Sequence, residues 1–271
     1  MIRVELLKLF RRPRTWMTIG LLDALPTIVA ILLAITGVGP RPGQGPAFLS
    51  AVLANGSLFA VAALAIVLPL FLPIAVAVVA GDTIAGEAQG GTLRYLLIRP
   101  VGRTRLLVAK LVSVFAFVCV AVVVVASTGY FVGRLLLGNQ PLSAAVTSVS
   151  GTSLTSSQIA GRTLLAIGYV AFSMLGVAAV ALFLSTVTDS ALSATMGALA
   201  ILIGSSLLLT IDASRALQPY LPTRYWLSFI DLFRDPILWR NVLRGVALQG
   251  VYVAVLLGAA WANFTTKDVT S

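Results

Sequence analysis

Apolar residues run along this chain in long unbroken blocks, with the polar residues gathered between them. Six blocks are long enough to cross a bilayer, which takes about 20 residues at ~1.5 Å rise each. They are Met17–Thr36, Ser57–Val79, Leu106–Val132, Thr163–Leu184, Ala191–Ile211 and Val246–Phe264. Lipid offers no partner to an unpaired amide, so each block predicts a helix and the whole chain an all-α polytopic membrane protein. The third block is long for a bilayer and is expected to tilt or to project beyond it.

Ahead of the first block the pattern changes to a helical period. Ile2, Leu6, Leu9 and Phe10 share one face, Glu5, Lys8 and Arg12 another, and Pro13 stops the run. Residues 1–14 are therefore expected to form an amphipathic helix lying in the headgroup plane. Their charged part is too long for a cleavable signal, and no small-residue cleavage site follows. The loop between the third and fourth blocks is rich in Ser and Thr from Ser143 to Ser157 and shows no clear pattern. In residues 212–245, Trp226, Phe229 and Phe233 recur at helical spacing. Asp231 and Arg234 lie three apart, and Pro236 interrupts the run. This predicts two short re-entrant helices dipping into the outer interface, with the aromatics as anchors. Residues 1–271 read as a single transmembrane domain.

Composition supports the membrane reading: 59% of the 271 residues are apolar and 10% are charged. A soluble chain carries roughly 25% charged residues. The net charge of +10 raises the question of a nucleic-acid partner, but the bases adjoin the apolar blocks, as in loops held at an anionic leaflet. No nucleic acid is expected. Arg3, Lys8, Arg11, Arg12 and Arg14 precede the first block, and Arg94, Arg99, Arg103, Arg105 and Lys110 lie between the second and third. The positive-inside rule then places both termini and the 81–105 segment in the cytoplasm. Against it, the last outer loop holds Arg215, Arg224, Arg234, Arg240 and Arg244. Early segments usually dominate orientation, so termini-in is retained. Sixteen arginines against three lysines, with abundant Ala, Val and Gly, suggest a bacterial chain and hence the cytoplasmic (inner) membrane.

One polar island stands out, GDTIAGEAQGGTLRYLLIRPVGRTRLLVAK at 81–110. The second span is expected to continue as a helix to about Gln89, carrying Asp82 and Glu87 into water. Gly90 and Gly91 would stop it. Thr92 is placed to cap a new short helix with Leu93, Leu96 and Leu97 on one face and Arg94 and Arg99 as its charges. Pro100 would end that helix, Gly102 turn the chain, and Thr104 cap the third span. Such an amphipathic helix either docks into a groove on a partner or lies on the headgroups.

The order Gly86-Glu87, Gly91-Thr92-Leu93, Leu96-Leu97, Pro100 and Arg103 resembles the cytoplasmic signature of ABC-transporter type-2 permeases. The N-terminal amphipathic helix, six spans and re-entrant helices before the last are similar to that family as well. The resemblance covers the whole architecture, while its specific motif is carried by about twenty residues. It implies the permease half of an exporter, working with a separate ATP-binding-cassette ATPase and a second permease copy or paralogue. The island would be the coupling helix seated in a cleft of the ATPase, with Glu87, Gly91, Thr92, Leu93, Arg94, Leu96, Leu97, Pro100 and Arg103 at the coupling position. ATP and magnesium would belong to that partner and no cofactor to this chain. Gln89-Gly90 departs from the family pattern, in which charged residues are frequent there.

Within the spans, Asp23 lies about 9 Å deep by helical rise. It is expected to be held within the bundle by a hydrogen bond, with a basic N-terminal residue as a candidate partner, although an intramembrane acid also marks a site candidate. Pro69 and Pro73, one turn apart, are hinge candidates or a fixed kink. Gly168, Ser173, Gly176, Ser193, Gly197 and Gly204 suit close helix packing. Arg134 and Arg162 are expected to snorkel to headgroups.

Two other classes fit less well. An ion-driven secondary transporter calls for buried acids and inverted repeats, and Asp23 stands alone with no repeat evident. An intramembrane enzyme calls for clustered ionisable groups, whereas the chain has no histidine and a single cysteine, Cys119. No Walker loop of the form G-x-x-x-x-G-K-[ST] is present to cradle a nucleotide.

Overall fold

The computed structural model of the protein describes residues 1–36, 56–91, 102–137, 146–147 and 153–266. Helix α1, Ile2–Arg11, gives way at Arg12 to α2, Pro13–Thr36. Pro13 thus opens the second helix as well as closing the first, since a first-turn residue needs no amide hydrogen. A 3-10 turn, Gly56–Leu58, leads into α3, Phe59–Val67, and then α4, Phe71–Asp82. The short α5, Ala85–Gln89, follows, and then the long α6, Arg103–Leu136. Helices α7, Ser156–Val187, α8, Ala191–Leu208, and α9, Trp239–Thr266, complete the bundle.

Five described helices are long and apolar enough to cross a membrane, and α3 with α4 make a sixth crossing if the bent pair is one span. The all-α polytopic fold expected from the pattern is the fold found. The second span is not straight, however: its halves meet at 60°. Pro69 lies in the break, where its missing N–H and its ring prevent the ladder from continuing past Ala65. Pro73 falls in the first turn of α4, where a proline is tolerated. A second interruption at Thr83–Ile84 sets α5 off from α4, so the span does not run on unbroken to Gln89. Helix α6, at 34 residues, is about 51 Å long, well over the ~30 Å hydrocarbon core, and so projects beyond it.

Helix α7 is the central post. It packs on α9, α4, α8 and α6, while α6 in turn carries α2, α3 and α1. One core of Leu, Val, Ala and Phe runs through the bundle, including Phe59, Phe117 and Met174. The closest helix approach lies where the 3-10 turn meets α6. A Cβ on Gly56 would stand 2.2 Å from the Gly133 carbonyl oxygen, and one on Gly133 would stand 2.2 Å from that of Gly56. Gly129 abuts Ala60 and Ala63 one turn away, making a small-residue seam of the kind that lets helices meet backbone to backbone. Of the glycines expected to pack closely, Gly176 fits against Gln249 and Gly197 against Leu184, whereas Gly168 and Gly204 face nothing within 4 Å.

Several sequence expectations need correction at the end of the bundle away from α1. The Ser/Thr-rich loop contains a small antiparallel pair, Val146–Thr147 with Ser153–Leu154, and Thr155 caps α7 in a reciprocal capping box with Gln158. The 212–245 segment holds 3-10 turns at Asp212–Ser214, Gln218–Tyr220 and Trp226–Phe233. Helix α9 already begins at Trp239, so the last crossing starts earlier than its apolar block. The aromatics are not interface anchors: Trp226, Phe229 and Phe233 are buried with the core, because the turns fold inward against α7 and α9. Arg162 does not snorkel. It is buried, donates to the Arg234 carbonyl at 2.9 Å and lies 3.8 Å from the Asp235 carboxylate. Arg134 stacks over and donates to Tyr130 on its own helix.

Candidate functional site

Helix α1 turns its charged face inward, toward the ends of α4, α5 and α6. Lys8 pairs with Glu87, and Arg12 pairs with Asp82 at 3.0 Å. Lys110, about two turns into α6 and only 1% exposed, reaches Glu87 at 2.6 Å and Glu5 at 3.7 Å. The sequence expectation had α1 resting on headgroups and Glu87 extending into water. Instead, Glu87 is 6% exposed and joins three elements of the chain. The break at Thr83–Ile84 sets α5 off from α4, and α5 lies where Lys8 of α1 and Lys110 of α6 both reach Glu87. On α1, Leu6, Leu9 and Phe10 of the expected apolar face are half-buried, Leu9 against the core, whereas Ile2, Val4 and Leu7 remain exposed.

Burial alone would raise the Glu87 carboxyl. Lys110 and Lys8, through charge and hydrogen bonding, overcome this and hold it below its ordinary value. A buried charge of this kind is tolerated only because its partners are in contact with it.

The turn between α4 and α5 is held from α7. Ser185, fully buried, donates to the Gly81 carbonyl at 2.7 Å and accepts the Ile84 and Ala85 amides at 3.1 and 2.9 Å. Its hydroxyl satisfies amides that a broken helix leaves without partners. Gly86 passes so near Asp82 that a Cβ there would lie 2.1 Å from its carboxylate oxygen. Gly91 ends this part of the chain with φ +66°, a left-handed conformation that glycine adopts without penalty.

Twelve residues farther on, the chain is secured again. Arg103 donates to the carbonyls of Phe264 and Thr265, at 3.3 and 3.0 Å, at the C-terminal end of α9. A cation there also complements the helix dipole. Thr104 does not cap α6, whose N-cap is Gly102; its hydroxyl accepts the Trp261 indole at 2.9 Å. Asn263 completes the join, donating to the Thr186 carbonyl at 3.0 Å.

Of the residues proposed for coupling, Glu87, Gly91 and Arg103 are thus placed. Thr92, Leu93, Arg94, Leu96, Leu97 and Pro100 lie outside the described residues. Sequence reasoning passed over Lys110 because it reads as a snorkelling end of a span, and over Ser185 because a lone serine in an apolar helix carries no signal. Asp23 is brought to no base: among the described residues it makes no ion pair, and its Oδ1 is buried without a hydrogen-bond partner. Arg12, at the junction of α1 and α2, pairs with Asp82 instead. Pro69 sits at the mid-span break and Pro73 just beyond it.

A bundle with five crossings, or six if the bent pair is one span, an ion-paired helix at one end and an inward-folded aromatic segment at the other is a polytopic membrane protein in its architecture. Residues 1–205, about three quarters of the chain, match the model for the ABC-2 family transporter protein, and the chain belongs to that family. A search among curated proteins found no match. The protein is accordingly a multi-pass membrane subunit of an ABC transporter.

Proposed function

We propose that the chain is the permease half of an ATP-driven exporter, working with a separate ATP-binding-cassette subunit that holds the nucleotide and magnesium. Two permeases, identical or paralogous, would flank the transport path. The protein would sit in a bacterial cytoplasmic membrane with both termini and the 81–105 segment inside. The observation that carries the reading is the double anchorage of that segment. One end is fixed through Glu87 to α1 and α6, and the other through Arg103 to α9. A displacement applied between these anchors would be passed to α6 and α9, two helices long and apolar enough to span the bilayer, as a lever requires. Pro69, at the bend in the second span, is the place where such tilting would be taken up.

The test is a tagged chain purified from native membranes together with the ATPase it retains, assayed for ATP turnover. Leu96→Glu places a charge on the leucine face expected from the sequence, at a residue that is not a member of the ion pairs. It is expected to abolish permease-stimulated turnover, with the melting temperature of the permease unchanged. Normal turnover in that variant, or transport by ATPase-free vesicles under an ion gradient alone, would overturn the proposal.

A further inference from the structure

Beside the ion pairs lies a cavity of about 690 Å³, walled by α2 on one side and α8 on the other, with α4 as its floor. That size falls in the range of roughly 300–1,000 Å³ typical of small-molecule sites. Its wall has two chemistries. Toward α1 it is charged, and the three acids there are all engaged: Glu87 with Lys8 and Lys110, Glu5 with Lys110, and Asp82 with Arg12. The remaining base in the wall, Arg14, is exposed and makes no ion pair among the described residues. Away from α1 the wall becomes apolar, where Val78 is 44% and Leu192 71% exposed.

An uncommitted guanidinium next to an open apolar lane matches an amphiphile with an anionic head. A free inorganic anion would have no use for Val78 and Leu192. Arg3, Arg11, Arg12 and Arg14, all exposed, mark the same end of the bundle as the one expected at the headgroups. We propose that this cavity is a phospholipid site, with the lipid phosphate paired to Arg14 and an acyl chain lying along Val78 and Leu192 between α2 and α8. Arginine suits the role because its planar fork meets phosphate oxygens in pairs. The site requires no ATPase, so it stands or falls independently of the proposed function.

The experiment uses the full chain in neutral detergent, titrated with short-chain phosphatidylglycerol and followed by native mass spectrometry. One lipid per chain is expected. Arg14→Gln should weaken its retention about fivefold, the factor equivalent to the ~1 kcal/mol that one basic side chain contributes near an anionic surface. Leu192→Glu, which obstructs the apolar lane, should weaken it at least as much. Arg3→Gln, a base on α1 outside the cavity wall, should leave it unchanged. Equal losses from Arg3→Gln and Arg14→Gln would show diffuse surface attraction and overturn the site. Displacement of the lipid by an equal concentration of inorganic phosphate would make it a free-anion site and likewise refute the proposal, as would the absence of any retained lipid.

Discussion

The two ends of this bundle are closed by opposite means. At the α1 end, closure is ionic: Glu5, Lys8, Glu87 and Lys110 meet across three helices, with Arg12 and Asp82 beside them. At the far end it is largely apolar, with Trp226, Phe229, Leu232 and Phe233 folded in against α7 and α9. The polar groups there tie the segment together and to α9. Asp231 accepts from Arg234 at 2.8 Å and Asn241 at 2.9 Å, and Gln249 donates to the Pro222 carbonyl at 2.7 Å. Dispersion and apolar burial depend on close packing and yield to no solvent variable short of unfolding. Ion pairs exchange partners and respond to pH. A bundle moved from one end gains from a pivot at the other, and the chemistry of the two ends is divided in that sense.

The largest expected effect lies in the aromatic cap. Phe229 is fully buried at the junction with α7. Phe229→Ala should cost about 3–5 kcal/mol through lost burial and the cavity left behind. Thermal or denaturant unfolding in detergent measures it. A loss below ~1 kcal/mol would mean that the segment is loosely laid on the bundle, and the contrast between the ends would disappear.

Next is the ionic end. Lys110→Met keeps the apolar stem of the lysine and removes the charge, leaving Glu87 buried with Lys8 alone. The expected cost is about 3 kcal/mol, the scale of breaking a buried pair from one side. Adding Glu87→Gln should recover more than half of it, because the uncompensated charge is then gone. The pH dependence has a defined sign. Glu87 is held below its ordinary value of 4.5, so its contribution is full above that value and is lost as the pH falls through its lowered one. Wild-type protein should lose stability on acidification in that window, and the Lys110→Met, Glu87→Gln double variant should lose less. Identical acid profiles would remove Glu87 from the argument.

These residues also show what a sequence discloses about such a protein. The crossings were legible because the bilayer imposes one physical requirement, about 20 apolar residues, that nothing local overrides. The bend at Pro69 was legible for a similar reason, since proline acts through its own ring. The break at Thr83–Ile84 was not: it is held by Ser185, a hundred residues away, and no local pattern reports a distant hydroxyl. The same break inverted the reading of Glu87, which belongs in water if α4 continues but is buried where α5 brings it to Lys8 and Lys110. The aromatics at 226, 229 and 233 carried the right period but the wrong surroundings. An amphipathic face looks the same whether lipid or protein covers it.

The smallest effect is the most discriminating for the ionic end. Arg12 and Asp82 are joined at 3.0 Å, but neither partner is buried as Glu87 is: their side chains are 43% and 39% exposed. In water the attraction is screened and partly offset by the entropy of holding two flexible side chains, so exposed pairs contribute about 0–1 kcal/mol. Arg12→Gln should therefore shift unfolding by less than ~1 kcal/mol, and the remaining pair contribution should shrink further at 1 M salt, where the Debye length is about 3 Å. The Lys110 effect, shielded from solvent, should change little over the same range. A large, salt-insensitive loss from Arg12→Gln would mean that this pair also anchors α1, and that the ionic closure extends from its buried centre to the rim.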